Sequence, residues 1–190
     1  MTVFRDLSQH LLDIAENGVK AGATQLHIDI EEDLRENRLS LTIQDNGCGM
    51  DAQALSHVTD PWFTTRTTRK VGLGIPFLKQ TAEMCGGSFA IQSVVGKGTT
   101  TSATFQYNHI DRPPLGDIVG TLLCVIVGCQ DVDVVYRHRV NDQEFSLDTR
   151  EIREVLEDVT FSDPDVLAFL RGNLSEGVDA LQGEYRISDF

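Results

Sequence analysis

The chain has few cysteines, few basic residues and no long apolar run. Its four cysteines, Cys48, Cys85, Cys124 and Cys129, form no Cys-x-x-Cys pair and show no metal-binding spacing. We interpret them as reduced thiols of a cytosolic protein. The longest apolar stretch, residues 118–128, is shorter than the ~20 residues that span a bilayer, and the first residues lack a signal-peptide pattern. We therefore predict a cytoplasmic protein with no membrane partner.

Basic residues are outnumbered, with 16 lysines and arginines against 29 acids and a net charge of -13. Residues 1–109 contain 12 acids and 9 bases, whereas residues 110–190 contain 17 acids and 7 bases. Because binding to a nucleic acid backbone needs clustered bases, we expect no nucleic acid partner. The shift in charge, next to the Arg112-Pro113-Pro114 stretch, predicts a domain over 1–109 and an acidic α+β extension over 110–190.

The most informative stretch is the glycine-rich turn from Asp45 to Gly49. It follows residues 38–44, which alternate apolar and polar side chains as a strand with one buried face does. A carboxylate fixed at the end of such a strand can accept a hydrogen bond from an amino group, such as the exocyclic amine of adenine. The glycines would let the backbone approach a ligand. The alternative is an Asx-type turn that only ends the strand.

A second group of polar residues lies on the first predicted helix, residues 4–21. Asp13, Asn17 and Lys20 follow one another at helical spacing on a single stripe. The Asn17 oxygen can ligate Mg²⁺, Lys20 can pair with phosphate, and Asp13 can orient water. The alternative is a polar outer face, with Glu16 and Lys20 as a surface ion pair.

Two further stretches suit phosphate binding. Residues 64–71 are polar and basic and lead directly into Gly72-Leu73-Gly74 and a predicted helix over 75–84. A glycine loop that opens a helix presents free N–H groups to an anion, and the basic segment before it can act as a lid. A second predicted hairpin, residues 88–105, carries a run of hydroxyl residues that includes Thr100, for which strand propensity is the simpler explanation.

The order of these motifs resembles the ATP-binding domain of the GHKL superfamily, which includes DNA gyrase, Hsp90 chaperones, histidine kinases and mismatch-repair ATPases. The segment 16–23 is most similar to the mismatch-repair ATPases, and the segments 62–75 and 96–100 are most similar to histidine kinases. The resemblance covers residues ~5–107. It implies an α/β two-layer sandwich of the Bergerat type, with helices on one face of a mixed, mainly antiparallel sheet.

The resemblance also implies ATP or ADP with Mg²⁺ in the cleft between the two layers. It assigns the magnesium ligand to Asn17, a phosphate contact to Lys20 and recognition of adenine to Asp45. The remaining residues that it assigns to nucleotide binding are Gly47, Gly49, Gly72, Gly74 and Thr100. Asp13 takes the catalytic position, where the ATPases usually have Glu and the kinases Asn, His or Glu. Its side chain is one methylene shorter than Glu, which leaves water activation open.

Few residues precede the first helix and about 80 follow the domain, so we expect a stand-alone protein and not a complete sensor kinase or gyrase subunit. The leading hypothesis is Mg-ATP-dependent phosphotransfer or regulation of a protein partner, as in anti-sigma-factor kinases. One alternative is a non-catalytic ATP/ADP sensor, and another is slow ATP hydrolysis coupled to formation of a homodimer. The sequence leaves open which of these applies.

The acidic extension shows no resemblance to a known family. We predict a buried helix over 115–129, a hairpin over 132–149 and helices over 150–158 and 165–181. We expect this part either to pack on the ATP-binding domain or to bind a partner. His138 is a candidate phospho-acceptor, but an ordinary strand histidine is the favoured interpretation.

Overall fold

The computed structural model describes residues 5–59, 74–156 and 159–183. In these parts of the chain the elements run in the order α1 (Leu7–Lys20), β1 (Gln25–Asp33), β2 (Arg38–Asp45), α2 (Ala52–His57), α3 (Gly74–Met84), β3 (Phe89–Val94), β4 (Gly98–Gln106), α4 (Ile118–Gly128), β5 (Asp133–Val140), β6 (Gln143–Asp148), α5 (Thr149–Leu156) and α6 (Pro164–Gly183). The predicted helices and strands all occur, with small shifts at their ends.

The strands form where apolar and polar side chains alternate, because alternation directs every second side chain to the same face. Along β1 and β2 the alternate residues Leu26, Ile28, Leu39 and Leu41 are fully buried or nearly so. Their neighbours in sequence are only partly buried or exposed. One face of the sheet is therefore the wall of the core.

In the described parts of the chain, the six strands belong to one sheet in the order β3-β4-β2-β1-β5-β6. Each neighbouring pair is antiparallel except β1 and β5, which run parallel with Leu26 opposite Val134. Asp45, at the end of β2, lies opposite Leu26 of β1 on one side and Thr99 of β4 on the other. The sheet is thus mixed and mainly antiparallel, which confirms the predicted fold class.

Helices cover the buried face of this sheet. Leu7, Leu11, Ile14 and Ala15 of α1 lie in the core, α3 packs on β4, and α4 contacts both α1 and α6. The opposite face is polar and is crossed by ion pairs such as that between Arg137 Nε and Asp29 Oδ1, at 2.6 Å. Among the described residues, no helix combines the length and the apolarity that a bilayer crossing demands.

The segment before α4 also fixes the start of α1. The Leu7 N–H donates to the Pro114 carbonyl at 2.9 Å, and the Ser8 N–H donates to the Leu115 carbonyl at 2.8 Å. These bonds satisfy two of the four N–H groups that a helix leaves without partners at its N-terminus. Asp6 caps the same end by accepting a hydrogen bond from the Gln9 N–H. The chain beyond residue 109 therefore supports α1 directly.

The extension after residue 109 completes the sheet. Strands β5 and β6 form its last two positions, and Leu122, Ile126 and Leu170 of the extension belong to the same core cluster as α1. The predicted buried helix and hairpin occur as α4 and as the β5–β6 hairpin. Whether residues 1–109 fold without residues 110–190 stays a prediction.

His138 lies inside the core. Its Nε2 is 2.8 Å from Glu32 Oε1, and its Nδ1 is 2.9 Å from the Tyr136 hydroxyl oxygen. All three side chains are at least nine-tenths buried, and burial raises the pKa of Tyr136 above its usual value. A buried polar group is tolerated when it has hydrogen-bond partners. The structure confirms the interpretation of His138 as a strand histidine whose two nitrogens both have partners.

Candidate functional site

The carboxylate of Asp45 is held at the junction of β2 and the glycine turn. Its Oδ1 accepts a hydrogen bond from the Gly47 N–H at 2.9 Å. Its β- and γ-carbons pack against α1 at Gly18, where an added Cβ would lie only 2.8 Å from Asp45 Cβ. Only glycine leaves room for this contact without a shift of one side chain. Sequence reasoning missed Gly18, because the reason for a glycine there appears only when α1 meets β2.

The two glycines of the turn are required by close backbone packing. A Cβ on Gly47 would lie 2.9 Å from the Ala21 carbonyl oxygen. Gly49 has a φ of +66°, and a Cβ there would lie 2.1 Å from the Val94 carbonyl oxygen. Glycine adopts positive φ at little cost, and it alone fits so close to another backbone. Both residues therefore fix the path of the turn.

Asn46 ties the turn to the start of β1, a role that sequence reasoning did not assign. Its Oδ1 accepts hydrogen bonds from the Thr24 N–H at 2.8 Å and from the Gln25 N–H at 2.9 Å. The Cys48 N–H donates to the Ala21 carbonyl at 2.8 Å. The turn is thus fixed on the side of α1 and β1 before any ligand is considered.

Next to this turn lies a cavity of about 740 Å³, within the range of small-molecule sites. It contains four of the residues that the sequence assigned to nucleotide binding, and it is walled mainly by apolar side chains that the sequence did not single out. The lining comprises Ile14, Asn17, Gly18, Lys20, Ala21, Asp45, Cys48, Gly49, Met50, Asp51, Ala54, Val58, Ile75, Val95, Thr99 and Thr101.

Thr100 is not among the residues that line this cavity, and its assignment to nucleotide binding stays a prediction. Successive side chains of a strand point to opposite faces, and Thr99 and Thr101 line the cavity while Thr100, between them, does not. Thr101 is 2% exposed and lies opposite Ile43 of β2. The β4 hydroxyls that line the cavity therefore belong to Thr99 and Thr101.

Asp13 and Asn17 meet on α1, as their spacing predicts. The Asn17 Nδ2 donates to Asp13 Oδ2 at 3.3 Å, so the amide oxygen of Asn17 lies on the other side of its carboxamide group. Asp13 does not line the cavity. Its carboxylate packs against Gly74, the first residue of α3, where an added Cβ would lie 1.9 Å from Asp13 Oδ2. Gly74 thus allows α3 to begin directly beside Asp13.

Lys20 contacts the cavity and also pairs with a neighbour. Its Nζ lies 2.6 Å from Glu16 Oε2, and the two side chains are 56% and 50% exposed. This is the surface ion pair that the sequence offered as the alternative role. An exposed pair at i,i+4 contributes only about 0.3–0.5 kcal/mol, so Lys20 can leave Glu16 at little cost.

Gly72 and the basic segment 64–71, together with the predicted lid motion, lie outside the described residues. The described part of this region begins with Gly74. His10, one turn before Asp13 on α1, is 1% exposed. Its burial lowers the pKa to about 4, while a hydrogen bond with the Gly74 backbone and the charge of Asp6 oppose this shift. The imidazole is therefore neutral at pH 7.

The donor set of the cavity fits a magnesium ion bound together with phosphates. Within the described residues, no three His, Cys, Asp or Glu side chains come together as a metal cluster. The candidate protein ligand is the Asn17 carboxamide oxygen, since its nitrogen is assigned to Asp13. Mg²⁺ commonly takes one or two protein ligands and completes its shell with water and phosphate oxygens.

The fold has two layers, and an Asp–Gly turn and a polar helix share one cavity in it. This combination defines the class of ATPase folds to which GHKL proteins belong. The family described as "Histidine kinase-, DNA gyrase B-, and HSP90-like ATPase" matches residues 2–109. The chain therefore belongs to this family.

Individual relatives are much longer than the segment that matches this chain. A protein of Shewanella frigidimarina whose name calls it a sensor protein is 37% identical over 109 residues, covering 56% of this chain and 17% of that protein. The signal transduction histidine-protein kinase AtoS of Escherichia coli is 30% identical over 103 residues, covering 54% and 17%. The chain thus spans about a sixth of the length of these relatives.

Among solved structures, the Aquifex aeolicus MutL ATPase domain complexed with ADP is similar, with a TM-score of 0.51 at 11% sequence identity. The match covers 82% of this chain and 70% of that domain. It therefore includes residues beyond 109, and at this identity it shows the fold alone.

Proposed function

We propose that the chain binds Mg-ATP in the 740 Å³ cavity. The observation that carries this proposal is the placement of the Asp45 carboxylate. One of its oxygens accepts a hydrogen bond from the Gly47 N–H, and the residue lines the cavity next to Gly18 of α1. A carboxylate accepts hydrogen bonds and does not donate them, so this position favours adenine, which presents an exocyclic amine, over guanine, which presents a carbonyl.

The other lining residues fit the remaining parts of the nucleotide. The side chains of Ile14, Met50, Ile75 and Val95 offer apolar walls to the faces of the base. On α1, the Asn17 amide oxygen can take the metal. Lys20 can exchange its weak pair with Glu16 for a phosphate, because a surface ion pair contributes little. When bound, Mg²⁺ neutralises charge on the phosphates.

We propose further that the chain acts as a kinase-like module that transfers phosphate to a protein partner. Support comes from its similarity to sensor kinases and from the Asp13–Asn17 pair beside the cavity. A carboxylate held within reach of an attacking hydroxyl or imidazole can accept its proton.

The second candidate is a nucleotide sensor that neither transfers nor hydrolyses phosphate. It is favoured by one observation: the Asp13 carboxylate packs against Gly74 and does not line the cavity. In this case ATP and ADP would act by stabilising different arrangements of the chain.

The two candidates are separated by following γ-³²P-labelled ATP mixed with the full chain and with fractionated lysate proteins. For a kinase, label moves to a protein, and Asp13→Ala lowers the rate at least ~10²-fold, the usual scale for a general base. Nucleotide affinity stays close to that of the wild type. Glu83→Ala, an exposed carboxylate on α3, is the control and keeps the rate.

For a sensor, nucleotide binds but no label moves to protein and no phosphate is released, and Asp13→Ala alters neither affinity nor labelling. Release of phosphate without protein labelling supports slow hydrolysis and contradicts both candidates. Failure of ATP and ADP to bind the wild-type chain by calorimetry contradicts the whole proposal.

A further inference from the structure

Strand β3 forms one edge of the sheet, with β4 as its neighbour in the described residues. The Ser88 and Thr104 backbones exchange two hydrogen bonds, which sets the alternation of this antiparallel pair. From that register, the even-numbered residues of β3 direct their N–H and C=O groups toward β4. The backbone groups that point away from the sheet are those of Phe89, Ile91 and Ser93.

Within the described residues, β3 itself carries no charged side chain and no proline. Natural edges are protected by charged side chains, by proline or by bulges. Residues 85–96 form a run of twelve with no charge and no proline in a chain that is 24% charged. The opposite edge differs, because β6 carries Glu144 and Asp148.

Exposed apolar side chains lie at both ends of this edge. Met84, just before β3 in the chain, is 63% exposed. Val94 and Val95, at the end of the strand, are 54% and 64% exposed. Among the large apolar side chains that are exposed in the described residues, these three lie close together in sequence, near the two ends of β3.

We propose that β3 pairs with β3 of a second copy of this chain, antiparallel about a two-fold axis at Ile91. Phe89 of one copy then lies opposite Ser93 of the other, and the outward backbone groups exchange ~6 hydrogen bonds. The symmetry follows from the strand itself, since a two-fold interface must be self-complementary. The Met84 end of each copy comes beside Val94 of the other, which buries apolar surface from both.

A second copy suits this edge better than other occupants because of charge. Each copy carries a net charge of -13, so two copies repel wherever acidic surfaces meet. The uncharged run 85–96 allows two backbones to approach without placing like charges opposite each other. The product is a continuous sheet across two copies.

The first test replaces Ile91 with proline in the full chain and measures the monomer–dimer equilibrium by analytical ultracentrifugation. The Ile91 N–H points away from β4, so proline breaks no bond within the sheet and is tolerated there. The wild type should dimerise with increasing concentration, and Ile91→Pro should weaken dimerisation at least about 100-fold. Ser146→Pro, at an outward position of β6, is the matched control and should leave dimerisation unchanged.

A second test uses two exposed positions, Ala90 and Gln92, that lie opposite each other across the proposed interface. The double variant Ala90→Glu/Gln92→Glu places like charges opposite one another, whereas Ala90→Glu/Gln92→Lys places opposite charges there. Cross-strand charge pairs differ enough that the first should dimerise about ten-fold more weakly than the second. Neither variant changes a buried side chain, so both remain informative if Ile91→Pro fails to fold.

A wild-type chain that stays monomeric at every concentration overturns the proposal. It is equally overturned by equal dimerisation of the two charge variants, or by Ser146→Pro acting where Ile91→Pro does not.

Discussion

Replacing Asp45 with asparagine tests the candidate site most directly. Because Oδ1 already accepts the Gly47 N–H, the asparagine oxygen can keep that bond and the turn stays folded. Its NH₂ group then stands where the second carboxylate oxygen was, and it meets the adenine amine donor to donor. Loss of one charge-assisted hydrogen bond costs about 1.5–3 kcal/mol. We therefore expect ATP affinity to fall ~10- to ~100-fold.

A second carboxylate of the same cavity provides the matched control. Asp51 lines the cavity and caps α2 by accepting a hydrogen bond from the Ala54 N–H at 2.7 Å. Asparagine caps a helix about as well as aspartate, so Asp51→Asn should also fold. ATP is anionic, and removal of a negative charge nearby favours its binding. Asp51→Asn should therefore bind ATP at least as tightly as the wild type.

The measurement is titration calorimetry with Mg-ATP, Mg-ADP and Mg-GTP, next to thermal unfolding of each variant. The wild type should bind both adenine nucleotides and bind GTP weakly. An Asp45→Asn protein that is folded and keeps wild-type ATP affinity would refute the assignment of Asp45. Equal losses in Asp45→Asn and Asp51→Asn would also refute it, because they would show a general effect of charge.

Two further predictions concern α1. Asn17→Ala removes the candidate magnesium ligand, so the gain in ATP affinity on adding Mg²⁺ should largely disappear while metal-free binding stays unchanged; an unaltered Mg²⁺ dependence in calorimetry contradicts this role. His10 has its pKa lowered to about 4 by burial, so the unfolded chain binds the extra proton first and stability falls as the pH drops from about 6.5 to about 4. The loss amounts to about 3 kcal/mol. Urea unfolding of the wild type and of His10→Gln across this pH range should show this loss of stability in the wild type alone. Matching pH profiles for the two proteins would contradict the role of His10.

The local elements could be predicted because their signals are local. The alternation in 38–44 and the glycines at 47 and 49 define a strand that ends in a tight turn, whatever packs on it. The stripe of Asp13 and Asn17 likewise follows from helical spacing alone, and their side chains do meet. These features needed no knowledge of distant contacts.

Features that depend on tertiary contacts could not be predicted. Thr99, Thr100 and Thr101 are chemically identical, so only the register of β4 against β2 decides which hydroxyls face the cavity. Gly18 is explained only by the approach of Asp45. The charge difference after residue 109 indicated a boundary in the chain, but surface charge says nothing about strand pairing, and β5 joins the same sheet as β1.

The parallel pairing of β1 with β5 has a consequence for synthesis on the ribosome. The Leu34 N–H, just after β1, donates to Asn141 Oδ1, which is 107 residues away in the sequence. Strand β1 is therefore made long before its neighbour β5. At ~5–20 residues per second, the β5 side of β1 waits about 5–20 s for its partner. During that interval the nascent chain presents an open strand edge, the kind of surface that misassembles or recruits chaperones. Ribosome-bound chains that stop before residue 133 should therefore be held by chaperones, and chains that extend past β6 should be released.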